Sequence, residues 1–344
     1  MSVVTSERMP RVNPLRRFLV RPETGAVAGS IAVWIFFAIV AGSSGFVSSR
    51  GASSYLSVSA ELAILAVPVA LLMIGGEFDL SVGSTVGATG MTIAILSTQY
   101  GLNIWVSIVV ALIFAVLIGM MNGYLVMRTR LPSFIVTLGT SYILYGVTAG
   151  LTVGLTGLTV VSGVDQAPGY SAAHAIFATA LGGGQQFPIE IIWALALVVL
   201  ATWLLVGTSF GNWVFGVGGD ANAARNVGVP VTRVKILLFV GTAVASCLLA
   251  IIQVVSFTNA DVQRGQNSEF VAIVAAVVGG VLLTGGYGSA IGAMFGALVF
   301  GIVEEGIVFA GVDANWYKAV VGIILLLAVL LNSYVRKLAM EARR

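Results

Sequence analysis

Long apolar runs separated by short polar segments dominate this chain. Each run holds roughly 20 residues, the length at which an α-helix crosses a hydrocarbon core of about 30 Å. Lipid offers the backbone no hydrogen-bonding partners, so such spans must be helices. The pattern predicts ten spans, at Ala26–Ala41, Tyr55–Ile74, Val82–Thr98, Ile104–Val126, Phe134–Thr152, Ile189–Val206, Val234–Val255, Val271–Leu283, Ile291–Phe309 and Ala319–Tyr334.

The predicted fold is therefore an all-α polytopic membrane protein of about ten transmembrane helices. The third and eighth spans are short and rich in Gly or Ala, so we expect them to be broken or partly re-entrant. Residues 1–25 form a polar N-terminal tail, residues 26–334 the transmembrane domain and residues 335–344 a C-terminal tail. The N-terminal tail has no apolar stretch of the kind that a secretory signal needs, so we interpret it as retained.

Composition and charge support this class. Apolar residues make up 58% of the chain and charged residues only 9%, whereas soluble domains carry about 25% charged residues. With the N-terminus inside, only Arg50, Arg264 and Lys318 of the 17 lysines and arginines fall outside. This bias predicts that both termini are cytoplasmic and that the basic tails attract anionic lipid headgroups. The net charge of +3 gives no reason to expect a nucleic-acid partner.

The amino-acid content of the chain excludes several kinds of site. Cys247 is the single cysteine and His174 the single histidine, so the chain holds no disulfide and no Cys or His metal cluster. No G-x-x-x-x-G-K-[ST] loop is present, since the only lysines are Lys235, Lys318 and Lys337. We find no acid, base or nucleophile set, and therefore expect no catalytic residues, no metal and no bound cofactor.

One polar stretch lies between two apolar spans. Asp220 to Val227 is typical of a short amphipathic helix, and Gly228 with the following Val-Pro is a stop signal. Such a helix has no core of its own to join. We therefore expect it to dock onto a separate, energy-supplying partner on the cytoplasmic side.

Carboxylates within apolar spans have either a structural role or a role in transport. For Glu61, Glu304 and Glu305 we favour structural hydrogen bonds, while a proton relay in a secondary transporter is the alternative. For Glu77 and Asp79 we favour a functional role, because the flanking glycines predict an irregular turn whose free backbone groups need polar partners.

Two further segments yield expectations. The loop Val153–Pro188 contains no Lys or Arg, so it is predicted to lie outside. We expect a short helix at Ala172–Leu181 and contact with a donor protein.

A weak sequence similarity between Gly75–Leu96 and Gly285–Val303 suggests an internal repeat, as in many transporters. Most span glycines are interpreted as helix-packing positions.

Five ordered motifs carry a family resemblance over Tyr55 to Tyr334. The chain resembles the inner-membrane permease of ribose-type ABC sugar importers at Gly75–Ser84 (GGEFDLSVGS), Met121–Gly123 (MNG), Leu131–Gly139 (LPSFIVTLG), Gly211–Arg225 (GNWVFGVGGDANAAR) and Val278–Ser289 (VGGVLLTGGYGS). It departs from the family pattern in three places. Glu77-Phe78 adds a residue to GG-x-DLSVGS, Asp220 stands where Asn is common, and Glu304-Glu305 replaces frequent amides.

The resemblance implies a function with specific partners. A permease of this kind pairs with a second copy, docks ABC ATPase subunits that use ATP and Mg²⁺, and receives a sugar or sugar-like solute from an extracytoplasmic binding protein. It implies a multi-pass protein of the bacterial inner membrane. It places ATPase coupling at Gly218, Gly219, Asp220, Ala223, Ala224, Arg225 and Gly228, and a weakly polar pathway at Glu77, Asp79, Asn122, Phe134 and Thr137. An ion-coupled secondary sugar or polyol transporter is the rival function.

Overall fold

The computed structural model describes residues 22–182, 187–324, 326 and 327. Most of the chain is helical. The helices are α1 (Pro22–Val40), α2 (Ser49–Ile74), α3 (Val82–Thr98), α4 (Ile104–Thr129), α5 (Ser133–Thr156), α6 (Tyr170–Phe177), α7 (Glu190–Gly207), α8 (Ser209–Gly219), α9 (Ala221–Asn226), α10 (Val231–Phe257), α11 (Ser268–Val278) and α12 (Ala290–Phe309).

Four short strands and two 3₁₀ turns complete the described elements. The strands are β1 (Val160–Ser162), β2 (Ala180–Leu181), β3 (Phe187–Pro188) and β4 (Asn259–Asp261). The 3₁₀ turns lie at Gly42–Ser44 and Val164–Gln166. Strand β1 pairs antiparallel with β4, and β2 pairs antiparallel with β3. The sequence pattern did not predict these strands, because two or three extended residues give no usable periodicity.

Among the described residues, seven helices are long and apolar enough to cross a membrane: α1, α2, α4, α5, α7, α10 and α12. Helices α3 and α11 are apolar but shorter, with 17 and 11 residues, as predicted for the third and eighth spans. The chain is thus an all-α polytopic membrane protein. Of the predicted tenth span, Ala319–Tyr334, residues 319–324 are helical. The rest of that span is largely outside the described residues, as are residues 1–21 and 335–344 of the predicted tails.

Helices α2 and α10 form the centre of the bundle. Helix α10 packs against α4, α3 and α2, while α12 packs against α2 and α1. The membrane-length windows of α2 and α10 are 78% and 72% buried, compared with 17% for α5. Helix α5 therefore turns an almost complete apolar face outward, including Tyr142, Ile143 and Val147.

Small residues let these helices touch backbone to backbone. A Cβ atom built on Gly296 of α12 would lie 1.9 Å from the carbonyl oxygen of Ala275 in α11. One built on Gly301 would lie 2.1 Å from the hydroxyl of Ser59 in α2. Contacts this close replace the hydrophobic driving force that helices lack in lipid. At these two positions the predicted helix-packing role is supported by the geometry.

The segment after α5 is ordered around the end of α10. Its helix, α6, overlaps the predicted Ala172–Leu181 helix but begins at Tyr170. The Tyr170 hydroxyl donates to the Val255 carbonyl oxygen at 2.7 Å. Burial, reinforced by Asp165, raises the pKa of this hydroxyl, so it remains a protonated donor. Together with the β1–β4 pair, this contact fastens the segment to the bundle.

The predicted end of the eighth span, Leu283, is wrong. Helix α11 stops at Val278, because Gly280 takes a left-handed conformation with φ of +89°. The N–H of Val281 then bonds back to Ala276 O at 3.0 Å. This is a glycine-terminated helix end of the Schellman type.

The end of α2 has the same geometry. Gly76 has φ of +83°, and Glu77 N donates to Leu72 O at 3.1 Å. Gly75-Gly76 and Gly279-Gly280 are thus glycine pairs of the same conformation at two helix ends. In each case an irregular turn leads into the next helix, α3 or α12. The internal repeat between Gly75–Leu96 and Gly285–Val303 stays a prediction.

Replacing Gly296 by Val tests the α11–α12 contact. The new side chain must displace the backbone at Ala275, and overpacking of this kind costs about 1–3 kcal/mol. We expect a lower midpoint of thermal unfolding for the purified protein in detergent. Gly241→Ala in α10 is the control, because its Cβ would meet no atom within 4 Å. Equal midpoints for Gly296→Val and wild type would contradict the contact.

Candidate functional site

The short polar helix predicted from the sequence is α9. Its N-cap is Asp220, whose Oδ1 accepts the backbone N–H groups of Asn222 at 2.8 Å and Ala223 at 3.0 Å. The carboxylate satisfies two otherwise free donors and complements the positive end of the helix dipole. Asp220 therefore fulfils the capping role even though Asn is common there in the related motif.

The end of α9 is fixed by Gly228. This residue has φ of +86°, a conformation that L side chains adopt at a cost. Val229 N then donates to Ala224 O at 3.0 Å. Because the chain turns sharply here, α10 begins only a few residues later, at Val231. Helix α9 is thus a separate, tightly bounded unit that leads directly into α10.

One side of α9 is free and the other is packed. Asn222, Ala223 and Arg225 are exposed, and the Val227 side chain is 81% exposed. Ala224 is buried at 6% exposure. Of the two alanines predicted to allow close docking, Ala223 is on the open face, whereas Ala224 packs against this chain itself. The accessible face of α9 therefore consists of Asn222, Ala223, Arg225 and Asn226.

Three glycine-rich segments meet at the end of α8, directly before α9. A Cβ built on Gly218 would lie 1.7 Å from Ile74 O, and one on Gly285 would lie 2.9 Å from the Cα of Gly76. The N–H of Gly286 donates to Ile74 O at 2.8 Å. We call Gly76, Gly218, Gly285 and Gly286 the glycine junction. The junction connects the end of α8, which leads directly into α9, with the turn after α2 and the turn before α12.

The residues between α2 and α3 form an irregular turn, residues 75–81, here called the polar turn. Asp79 is 1% exposed. It accepts from Ser81 N at 2.9 Å, from Ser81 Oγ at 2.6 Å and from Thr242 Oγ1 of α10 at 2.7 Å. These donors satisfy a carboxylate that is taken out of water. The prediction that this turn needs polar partners is met within the chain.

Helices α4 and α5 hold the other side of the polar turn. Ser133 Oγ accepts from Phe78 N at 3.0 Å, and Thr137 Oγ1 accepts from Leu80 N at 2.9 Å. Asn122 Nδ2 donates to Ser81 Oγ at 2.9 Å. Each of these bonds joins the turn to a helix that is more than 40 residues away in sequence. The polar turn is therefore hydrogen-bonded to α4, α5 and α10.

The predicted pathway residues divide into three groups. Asp79, Asn122 and Thr137 belong to one hydrogen-bonded cluster and are 0–1% exposed. Glu77 is partly buried and forms an ion pair with Lys235 of α10. Phe134 is 49% exposed on the open face of α5. The structure thus brings the first group together and leaves Phe134 apart.

Several partners of the cluster escaped the sequence analysis. Lys235 and Thr242 lie in α10 two turns apart, and Thr140 donates to Asn122 Oδ1 at 2.7 Å. Single polar residues in apolar spans carry little signal by themselves. A polar side chain in an otherwise apolar segment marks a residue that needs a hydrogen-bonding partner. It does not show which residue that partner is.

Three carboxylates of the apolar spans, Glu61, Glu190 and Glu304, have partners within the chain. Glu61 Oε2 accepts from Gln253 Nε2 at 2.6 Å. Ser57 donates to Glu190, and Tyr317 is hydrogen-bonded to Glu304. The favoured structural role of Glu61 and Glu304 agrees with these contacts.

Comparison with known proteins gives the family. The family described as "Branched-chain amino acid transport system / permease component" matches residues 51–329. The Xylose transport system permease protein XylH of Haemophilus influenzae is 29% identical, over 90% of this chain and 95% of the relative. The same-named protein of Escherichia coli K12 is 30% identical, over 90% and 91%. No solved structure matches the chain significantly.

A second type of relative carries another transport name. The Autoinducer 2 import system permease protein LsrD of Klebsiella pneumoniae is 31% identical, over 78% of this chain and 79% of the relative. The membrane-capable helices agree with these names. The chain therefore belongs to this family of transport permease components, among the ribose-type sugar ABC permeases of the inner membrane.

Proposed function

We propose that this permease imports a sugar or sugar-like small polar solute and is driven by a separate ABC ATPase that docks on α9. One observation carries the coupling assignment: α9 is an exposed, independently capped helix that directly follows α8, whose end contributes Gly218 to the glycine junction. A movement of α9 would therefore reach the turns beside α3 and α12 through direct backbone contacts. The chain itself supplies no ATP-binding loop, so ATP and Mg²⁺ act at the partner and no cofactor binds here.

The proposed topology has ten spans with both termini in the cytoplasm. Nine described helices match the first nine predicted spans, and residues 316–324 are helical where the tenth is expected to begin. This arrangement puts α9 and Lys235 on the cytoplasmic side. It puts α6, the β1–β4 pair and Arg264 outside. The distribution of lysines and arginines supports this orientation.

The outer segment is the proposed contact for an extracytoplasmic binding protein. Helix α6 and the β1–β4 pair give that surface a fixed shape, because Tyr170 and the strand register anchor it to α10 and its following strand. A docking surface with a fixed shape loses less conformational entropy on binding than a flexible loop.

We propose that two copies of the permease enclose the pathway. The open apolar face of α5 supports this, since only 17% of its membrane-length window is buried within its own chain. Phe134 is on that face, whereas Asp79, Asn122 and Thr137 are behind it in the polar cluster. Phe134 would then line the path directly, and the cluster would contribute when the polar turn moves. Glu77 is a candidate at the cytoplasmic end.

Changing α9 should uncouple the transporter. Arg225→Glu reverses the charge on the accessible face, and Gly228→Pro imposes φ near −65° where the chain has +86°. We expect each variant to insert and assemble normally, and to take up solute at least about tenfold more slowly per ATP hydrolysed. The measurement is labelled-sugar uptake and phosphate release in proteoliposomes that contain the permease, its ATPase and its binding protein.

The matched control is Arg128→Glu. It makes the same charge change on an exposed arginine at the end of α4, outside helix α9. We expect wild-type coupling for it. Normal coupled uptake in both α9 variants would refute the docking assignment.

The energy source separates the proposal from an ion-coupled carrier. Uptake should require the ATPase partner and ATP, and a protonophore should leave it unchanged when ATP is supplied inside the vesicles. A panel of labelled aldopentoses, aldohexoses and alditols, with xylose first, gives the substrate class. Uptake by the permease alone, collapsed by protonophore, would favour the ion-coupled alternative instead.

A further inference from the structure

The only lysine in the first turns of α10 is paired with the polar turn. Lys235 Nζ donates to Glu77 Oε1, and each side chain is 12% exposed. Two charges that are this far removed from water lose much of their hydration. A buried pair of this kind is weak evidence for stability, because the loss of hydration offsets much of the attraction. Its more general value is to fix one geometry between two elements.

The two elements are those that adjoin the glycine junction. Glu77 directly follows Gly76, whose Cα faces Gly218 at the end of α8. Lys235 is in the second turn of α10, nine residues after the end of α9 at Asn226. The polar turn is therefore connected twice to the segment that contains α9. The glycine junction connects it to the end of α8, before α9, and the ion pair connects it to the start of α10, after α9.

A second contact joins the same helix to the same turn. Thr242 is seven residues after Lys235, so it lies on the same face of α10, about 10 Å further along the axis. Its hydroxyl donates to Asp79 Oδ2 at 2.7 Å. The turn is thus held to α10 at Glu77 and at Asp79. Asp79 leads on through Ser81 to Asn122 of α4.

These contacts make α10 a rigid link with two attachment points. Glu77 also belongs to the segment in which this chain has one residue more than the related GG-x-DLSVGS pattern. The extra residue places a carboxylate between the glycine pair and Asp79. At the glycine junction the segments touch only through their backbones. Such a contact passes on a push from one segment to the next, but it has no charged groups that would keep the segments together when one of them is pulled away. The ion pair supplies such charged groups.

We propose that the Glu77–Lys235 ion pair is a positioning contact that makes the polar turn follow α10 when α9 moves. The proposal rests on the function proposed above and assigns its transmission step to two named side chains. Neither residue needs to touch the solute. Thr242 and Asp79 then hold the turn at its far end, so the turn moves as one piece.

The test uses the complete transporter in proteoliposomes, with the labelled sugar that the wild-type complex takes up from the panel above. Glu77→Gln and Lys235→Met each remove one charge with little change of volume. We expect both variants to assemble and to hydrolyse ATP, while uptake per ATP hydrolysed falls about tenfold. The exchanged pair, Glu77→Lys with Lys235→Glu, should recover most of the coupling, as a double-mutant cycle requires of a direct interaction.

Two controls separate positioning from folding. Arg128→Met removes an exposed cation from the end of α4 and should leave coupling unchanged. Lys235→Arg keeps the charge and should retain coupling even if the neutral variants fail to assemble. Thermal unfolding midpoints are measured for all variants, because a merely structural pair would lower the midpoint and assembly without changing uptake per ATP in the assembled fraction.

The outcomes are distinct. Wild-type uptake per ATP in the assembled single variants, or an exchanged pair no better coupled than they are, would overturn the ion-pair proposal alone. An assembled Lys235→Arg transporter that hydrolyses ATP without uptake would overturn it as well. A wild-type complex that takes up none of the sugars with ATP would overturn the proposed function, and the inference with it.

Discussion

Irregular backbone inside a membrane protein must find its hydrogen-bonding partners within the protein. This constraint governs the polar turn, where the chain leaves α2 and has not yet entered α3. Side chains of other helices meet several of its polar groups: Ser133 and Thr137 receive backbone N–H groups, and Thr242 donates to Asp79. The cost of an unmet group in such surroundings is several kcal/mol. Asn122 of α4, Ser133 and Thr137 of α5 and Thr242 of α10 therefore supply the partners that this turn needs.

The glycine junction solves a different problem at the same place. Two helices end in left-handed glycines, and a third segment, the end of α8, must come into backbone contact with the following turns. Any side chain at Gly218 would occupy the position of the Ile74 carbonyl oxygen. Because the contact is between backbones, it is short and stiff. It joins a surface helix, α9, to the interior of the bundle without an intervening layer of flexible side chains.

The two arrangements share α10. This helix begins beside α9, reaches the polar turn at Lys235 and Thr242, and remains packed against α2, α3 and α4 along its length. A permease that draws energy from a partner must carry a surface displacement to the groups near its pathway. In the proposed mechanism the carrier of that displacement is a single, largely buried helix, and the residues that connect it to the turn are few.

The sequence alone determined the membrane class, nearly all helix positions, the cap at Asp220 and the stop at Gly228, because these depend on local hydropathy, capping and backbone conformation. It located the third span to the residue, and it identified Glu77 and Asp79 as unusual. It placed the end of α11 wrongly, because a Gly-Gly pair ends a helix only in the backbone conformation that its surroundings allow. The tertiary structure alone decided which polar groups meet. Lys235, Thr242 and Asn122 reach the polar turn across more than 40 residues of sequence, and only the packing of the helices brings them within hydrogen-bonding distance.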